Sequence, residues 1–331
     1  MAAPVGRPPS RPGSRETLSK PPGLPETSFG EGTLGDVARS EPVRLPDLAS
    51  VFRTRAERLE ALAAGHELEP YLRTVAALVR AQHAALDGLP AGRLPGAAEV
   101  AAARAAARAP LDPERWPPDD SWRAALAAIL GRLDPVGLPE AARATVAALK
   151  KAAPDTLEAL ADGFLKGDVP ADRAAATVFV AAALQVAWTR MAALLDAADL
   201  DPADRGQCPA CGSPPVAGLV AQGGTKYGHR HLHCSLCATA WRHVRVRCVH
   251  CGSTDKISFR QIAGATYVRA ECCEKCQGYS KVFYLDSVKS IDPLADDLAS
   301  LTLDVLVGEE GFSRVPNPFL LQVDAASRPA P

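Results

Sequence analysis

Cys208-Pro-Ala-Cys211-Gly-Ser, Cys234-Ser-Leu-Cys237, Cys248-Val-His-Cys251-Gly-Ser and Cys273-Glu-Lys-Cys276 decide how this chain is read. Eight of its nine cysteines fall into four C-x-x-C pairs, separated by 22, 10 and 21 residues. The segment is an internal duplication, C-x2-C-x22-C-x2-C followed by C-x2-C-x21-C-x2-C, and both halves open with Cys-Gly-Ser. Two residues between thiolates let a tight knuckle aim both sulfurs at one ion, and the glycine after the second cysteine supplies the positive φ such a turn tends to need. Two facing knuckles give a closed tetrahedral four-sulfur site, the geometry of structural zinc or mononuclear iron. Each half has only about 43 residues, too few to hold a core alone, so an ion would serve as its staple. The duplication favours sequential sites, although knuckles paired in another order would satisfy the same spacing.

A closed four-sulfur shell leaves no open coordination position, which argues against Lewis-acid or metal–hydroxide catalysis. Thioredoxin-like dithiol chemistry wants one C-x-x-C at a helix start, whereas these pairs sit in strand–turn texture. The ninth cysteine, Cys272, abuts Cys273. Cys273 keeps the two-residue spacing to Cys276 and is the expected ligand, leaving Cys272 as a partly buried small residue. His229, His231 and His233 share one side of a strand by their i, i+2, i+4 spacing and are expected on an exposed polar face. No Ser–His or His–carboxylate pair stands at motif spacing and no phosphate-binding glycine loop is present, so no catalytic or cofactor-binding residue is assigned and no enzyme is expected.

Working outward, the 207 residues before Cys208 contain no cysteine. That clustering favours a local metal site in a reducing compartment over a disulfide scaffold. The 331-residue chain has a formal net charge of −1, yet residues 205–290 carry 12 basic and 4 acidic side chains. Arg230, Arg242, Arg245, Arg247, Arg260 and Arg269 make up half of that basic set and suggest a nucleic-acid-binding zinc ribbon. The thiolates reduce the excess to roughly +4 with two zinc ions or +6 with two ferric ions, which suits an acidic protein surface at least as well.

The first fifty residues hold nine prolines and six glycines, and residues 1–45 are expected to be a disordered leader. Residues 46–204 read as an all-α domain of six or seven helices. Tyr71, Leu72, Val75, Leu78, Val79 and Gln82 follow a one-sided helical rhythm behind Pro70. Ser121, Pro139 and Pro154 mark further helix starts. The longest candidate, Ala171 to Ala198, is apolar nearly all round and belongs in the middle of a bundle. Residues 205–246 and 247–290 form the two metal modules, with strands expected at Tyr227–His233 and Trp241–Arg247. Residues 291–331 hold a helix from Pro293 to Val307 and a tail around Phe319. The N-terminus lacks the apolar stretch of an export signal, and the most apolar run is too short to span a bilayer; a cytoplasmic protein is expected.

These residues resemble the bacterial formate dehydrogenase accessory protein family, FdhE. The resemblance rests on Cys208-Pro-Ala-Cys-Gly-Ser-Pro214, on Leu232-His-Cys-Ser-Leu-Cys237 with Trp241, and on Val244-Arg-Val-Arg-Cys248 with Cys251. It continues through Ala270-Glu-Cys-Cys-Glu-Lys-Cys276 with Tyr279 and Lys281, then Ala295-Asp-Asp-Leu-Ala-Ser-Leu301 and Asn317-Pro-Phe-Leu320. It covers about 205–320 with specific motifs and the helical half more loosely. The family pattern needs no cysteine at Cys272.

The resemblance implies an α+β protein: a helical N-terminal domain, two small rubredoxin-like (zinc-ribbon-like) four-cysteine metal modules and a C-terminal helix. It implies two metal ions, iron being the family's associated metal and zinc the alternative. One would be held by Cys208, Cys211, Cys234 and Cys237, the other by Cys248, Cys251, Cys273 and Cys276. It further implies a non-catalytic assembly factor that binds the formate dehydrogenase catalytic subunit in the cytoplasm during maturation, without membrane or small-molecule substrate. The metal modules are expected to form a rigid docking surface that the Phe319 tail extends. The alternatives are a redox-active iron protein acting on the maturing enzyme and a zinc-ribbon nucleic-acid binder.

Overall fold

The computed structural model describes residues 41–115, 119–202, 206–220, 230–285 and 290–320. Most of the leader, His229 with Tyr227, and the end of the tail lie outside the described residues.

Among the described residues, seven α-helices build the first half: α1 (Val51–Ala63), α2 (Glu69–Ala85), α3 (Ala97–Ala105), α4 (Ser121–Arg132), α5 (Glu140–Leu149), α6 (Pro154–Lys166) and α7 (Ala174–Ala192). Helix α2 carries Pro70 in its first turn, where its missing N–H costs nothing, and buries Leu72, Val75, Leu78, Val79 and Gln82. Helix α7 is shorter than the pattern from Ala171 to Ala198 suggests, because Ala171–Arg173 forms a separate 3-10 turn. It packs against α2, α4, α5 and α6 and is buried on all sides. The segment Ala171–Ala192 is long and apolar enough to cross a membrane, but 72% of that window is buried inside the protein.

The second half is one seven-stranded sheet. Its strands are β1 (Val43–Arg44), β2 (Pro215–Val220), β3 (Arg230–Cys234), β4 (Ala240–His243), β5 (Ile257–Arg260), β6 (Val268–Cys273) and β7 (Gly278–Tyr284), in the order β1-β4-β3-β2-β7-β6-β5. Each half of the duplication contributes three consecutive antiparallel strands. The halves are joined where β2 runs parallel to β7, with Gly218 opposite Val282. Strand β1 comes from the stretch expected to be disordered. Val43 is 3% exposed and pairs with Trp241, so this part of the leader is ordered, an apolar residue finding the open edge of β4. Strand β4 ends at His243, short of the expected Arg247, because the chain turns towards the third knuckle with Val246 at φ 58°.

Two short helices, α8 (Pro293–Leu298) and α9 (Leu301–Glu309), replace the single helix expected over 293–307. The break has a chemical cause. Ser300 Oγ donates back to the Asp296 carbonyl at 2.8 Å, while buried Lys281 Nζ donates to the carbonyls of Asp297 (2.8 Å) and Ser300 (3.1 Å). The freed carbonyls are thus satisfied without continuing the helix. Helix α8 packs on α1 and β2 and ties the two halves together. Arg58 donates to both carboxylate oxygens of Asp296 at 2.6 and 3.0 Å, and Arg55 Nε to those of Asp292 at 3.2 Å. The tail folds back instead of extending a surface. Asn317 donates to Asp297 Oδ2 at 2.9 Å, Tyr71 Oη donates to the Phe319 carbonyl, and Phe319 is 1% exposed. Its ring is worth more in the core than in water.

Two buried polar ties fix the first four-cysteine module to the helices. Gln82 Nε2 donates to Gln185 Oε1 at 3.0 Å, and Gln185 Nε2 donates to the Ser235 carbonyl at 2.7 Å. Trp188 Nε1 donates to the Leu111 carbonyl at 2.9 Å, and the Leu111 N–H donates to the Ala210 carbonyl at 2.9 Å. Replacing Gln185 by Leu removes the Ser235 carbonyl's side-chain donor in a dry interior. Thermal and urea unfolding should show a loss of about 1–3 kcal/mol; an unchanged midpoint would contradict this account.

A buried ionic cluster closes the C-terminal end. Asp297 receives Arg314 at 3.0 Å and Lys281 at 3.2 Å, and Asp304 receives Arg314 at 2.7 Å. Burial opposes ionisation of Asp297, but Arg314, Lys281 and the Asn317 amide outweigh it and hold its carboxyl below the ordinary value of 3.8. A depressed folded-state pKa contributes stability that is complete above pH 3.8 and lost as pH falls through the lower folded value. Asp297→Asn should therefore cost about 3–5 kcal/mol near neutrality, with a deficit that shrinks in acid. Melting curves for the two proteins that stay parallel down to pH 2 would show that the carboxylate does not act this way.

Candidate metal centres

The two halves of the duplication build their knuckles with the same backbone bonds. In the first, Cys208 N donates to Ser213 O (3.0 Å) and Gly212 N to Cys208 O (2.8 Å). In the second, Cys248 N donates to Ser253 O (2.8 Å) and Gly252 N to Cys248 O (3.0 Å). Gly212 and Gly252 have φ of 77° and 70°, the left-handed conformation anticipated after the second cysteine of each pair. The partner knuckles need the same turn but place Ala238 (φ 58°) and Gln277 (φ 56°) there. The requirement is thus hidden in the sequence, because these residues carry no glycine to announce it.

The sulfurs gather sequentially. Cys208, Cys211, Cys234 and Cys237 form one group and Cys248, Cys251, Cys273 and Cys276 the other, with all sulfurs of a group within 4.8 Å of one another. The first group has Sγ–Sγ distances of 3.5 Å (Cys208 to Cys237) and 3.4 Å (Cys211 to Cys234). In the second, Cys248 to Cys276 and Cys251 to Cys273 are both 3.7 Å. A disulfide would bring two sulfurs to about 2 Å. Sulfurs at the corners of a tetrahedron around an ion, each about 2.3 Å away, lie about 3.8 Å apart, which these groups fit. Backbone N–H groups also point at the sulfurs: Leu236 and Cys237 donate to Cys234 Sγ at 3.3 Å, and His250 to Cys248 Sγ at 3.4 Å.

Electrostatics supports the same conclusion. Burial pushes the thiols of Cys208 and Cys234 well above their ordinary range. Burial also opposes the Cys237 thiolate, but hydrogen bonds from the three neighbouring thiols and from Thr239 outweigh it and hold that group well below its ordinary range. Four crowded, buried sulfurs therefore oppose one another's ionisation. A bound cation is the chemistry that lets all four ionise. Both groups are four-cysteine clusters that could bind metal ions.

Burial separates the two clusters. All four cysteines of the first are at most 3% exposed. In the second, Cys248 and Cys273 are buried, Cys276 is half-buried and Cys251 is exposed. Cys272 belongs to neither cluster; it is buried on the sheet, where burial pushes its thiol up to about 12.

The strand histidines and the arginines behave differently from the sequence expectation. His231 is buried, with Nε2 3.2 Å from the Glu41 carbonyl, and His233 is half-buried. The face is therefore not an exposed polar one, because the chain leading into β1 covers it. Burial, with His231, Arg44 and Arg55 adding repulsion, drives the His233 pKa down to about 3. Arg230 is fully buried and pairs with Glu271 across the two modules, while its Nη2 lies 2.6 Å from His243 Nδ1. Gly218 makes room for it, since a Cβ there would sit 3.3 Å from Arg230 Cδ. Arg260 pairs with Glu310 at 2.7 Å, Arg269 donates to Gln261 at 2.9 Å and Arg247 to the Gly252 carbonyl at 3.1 Å. Arg230 is committed inside the fold and the half-buried Arg247, Arg260 and Arg269 are engaged with partners in the chain, which weakens the case for a nucleic-acid footprint. Gln82, Glu271 and Lys281 lie within a helical rhythm or a motif of the sequence that gives them no role; with Gln185 they make the buried polar ties between the ribbons, the helices and the C-terminal segment. Two glutamines inside apolar helical runs were the available signal.

A helical domain docked on a duplicated, sheet-fused four-cysteine ribbon defines the structural class. Family models described as FdhE N-terminal, FdhE central domain and FdhE C-terminal domain match residues 40–204, 207–245 and 246–321. The chain belongs to the FdhE family. It is 39% identical to the FdhE homolog of Pseudomonas aeruginosa, covering 80% of this chain and 87% of that protein. It is 34% identical to FdhE of Escherichia coli K12, covering 90% and 96%. The crystal structure of the Pseudomonas aeruginosa FdhE protein superposes with a TM-score of 0.76 at 37% identity, covering 84% of this chain and 98% of that one.

Cys273→Ser takes a sulfur out of the second cluster and should lower the metal content of the purified protein by about one ion per chain, the closed site having lost a ligand. Cys272→Ser should leave it unchanged. Elemental analysis separates the two, and the reverse result would exchange the roles of the adjacent cysteines.

Proposed function

We propose that this protein is a non-catalytic formate dehydrogenase accessory factor. It binds the catalytic subunit of the dehydrogenase in the cytoplasm while that enzyme matures. The observation that carries the reading is the fusion of both four-cysteine ribbons into one sheet, with residues of each sharing one core with the helical domain. That arrangement makes a rigid surface, the property a docking partner needs and the one that lowers the ordering cost of binding. Membership of the FdhE family supports a formate dehydrogenase as the partner. Arg230 is buried and Arg247, Arg260 and Arg269 are half-buried, while Arg242 and Arg245 stay exposed at the inter-module loop, a modest positive contribution to steering an acidic surface.

In this reading the eight clustered cysteines are ligands to two ions, and iron is the metal. When bound, the ions supply cross-links that hold each ribbon, and iron adds a one-electron couple. The protein's own residues do the rest. The backbone N–H groups at Leu236, Cys237 and His250 orient the sulfurs, and Gln185 with Leu111 anchors the first ribbon to the helices.

Tagged co-purification from cells expressing formate dehydrogenase tests the proposal. The catalytic subunit should be enriched with the intact chain and depleted when Cys234 and Cys237 are both serine. Recovery of nucleic acid or an unrelated enzyme instead would refute the partner assignment. The metal is read separately: iron predicts visible absorbance bleached by dithionite, and a colourless, fully loaded zinc protein would remove iron from the proposal.

A further inference from the structure

We propose that the clusters have different tasks: the Cys208 cluster holds its ion permanently, whereas the Cys248 cluster is an exchange site that takes up and surrenders a divalent cation through its open edge at Cys251. The inference rests on the reading of both clusters as metal sites and goes beyond it by separating their lability.

Three observations carry it. The first cluster is sealed, with Cys208 2%, Cys211 0%, Cys234 3% and Cys237 0% exposed. Its knuckles are also backed by the helical domain, through Gln185 on the Ser235 carbonyl and Leu111 on the Ala210 carbonyl. The second cluster has Cys251 exposed and Cys276 half-buried. Among the described residues its rim is short and polar, with Gly252, Lys256, Glu274, Lys275 and Gln277 all exposed. Its outer knuckle is held to neighbouring chain by Arg247 on the Gly252 carbonyl, and its inner sulfurs by β6 and β7.

Ligand exchange at a closed four-sulfur site needs an incoming donor or a proton to reach the ion or a thiolate. In the first cluster a cavity of about 400 Å³ borders Cys208 and Cys211, yet they are 2% and 0% exposed, so a donor reaches a sulfur there only after the packing over the knuckle loosens. In the second it requires only access to Cys251. The step is a ligand substitution. The Cys251 thiolate leaves with its electron pair and takes a proton from solvent, the incoming donor takes its place, and no electron changes hands. The natural exchange partners are small thiols, chelating metabolites or a metal-carrying protein surface, all sharing soft donor chemistry.

The test uses the full chain loaded with zinc and an excess of the chelator 4-(2-pyridylazo)resorcinol under anaerobic conditions. Release should be biphasic, with one equivalent leaving at least about tenfold faster than the other, since accessibility governs thiolate reactivity. Limiting N-ethylmaleimide mapped by peptide mass spectrometry should label Cys251 and Cys276 before any cysteine of the first cluster. In Cys251→Ser the slow equivalent should remain. A single release phase, or Cys208 or Cys234 labelled as early as Cys251, would overturn the division while leaving two metal sites standing. A folded chain that retains no zinc would overturn both readings.

Discussion

Each cluster depends on two hairpin tips being held so that four sulfurs meet within 4.8 Å, and a ribbon of about forty residues cannot hold itself that way. Everything else in the second half answers that constraint. The two ribbons merge edge to edge through β2 and β7, so neither carries two open edges. Arg230 crosses from one ribbon to Glu271 on the other, over the space Gly218 leaves. The merged sheet then lies against the helices, and residues from both halves share one apolar core.

The polar contacts at that junction are few and buried, which makes each one consequential. Gln185 sits on an otherwise apolar helix and spends its amide on a knuckle carbonyl. Asp292 and Asp296 on α8 meet Arg55 and Arg58 on α1, and the Lys281–Asp297–Arg314–Asp304 cluster locks the C-terminal helices onto the sheet. A half-satisfied version of any of these would be worse than an apolar contact. The arrangement explains why basic residues that look like a surface footprint in the sequence turn out to be structural.

The difference between the clusters follows from the same packing. Gln185 of α7 ties down the first ribbon, and all four of its cysteines are at most 3% exposed, whereas the second cluster buries Cys248 and Cys273 but exposes Cys251. The duplicated knuckles are alike in backbone hydrogen bonding, so their different access comes from what covers them and not from local geometry.

By itself the sequence determined the parts whose chemistry is local. Cysteine spacing set the knuckles, Gly212 and Gly252 marked two of the four turns, and the 3.6-residue apolar rhythm with Pro70 and Pro154 located helices. Those signals lie within a few residues of the feature they encode. Tertiary structure alone decided the rest, because it depends on partners far apart in the chain. The parallel pairing of β2 with β7, the recruitment of Val43 to the edge of β4, and the cover over His231 are of this kind. So are the burial of Phe319 and the exposure of Cys251 beside sealed Cys211. Both cysteines are followed by the same Gly-Ser, and what packs over them tells the two apart: the chain at residues 109–111 lies against the Cys211 knuckle, while Cys251 is exposed.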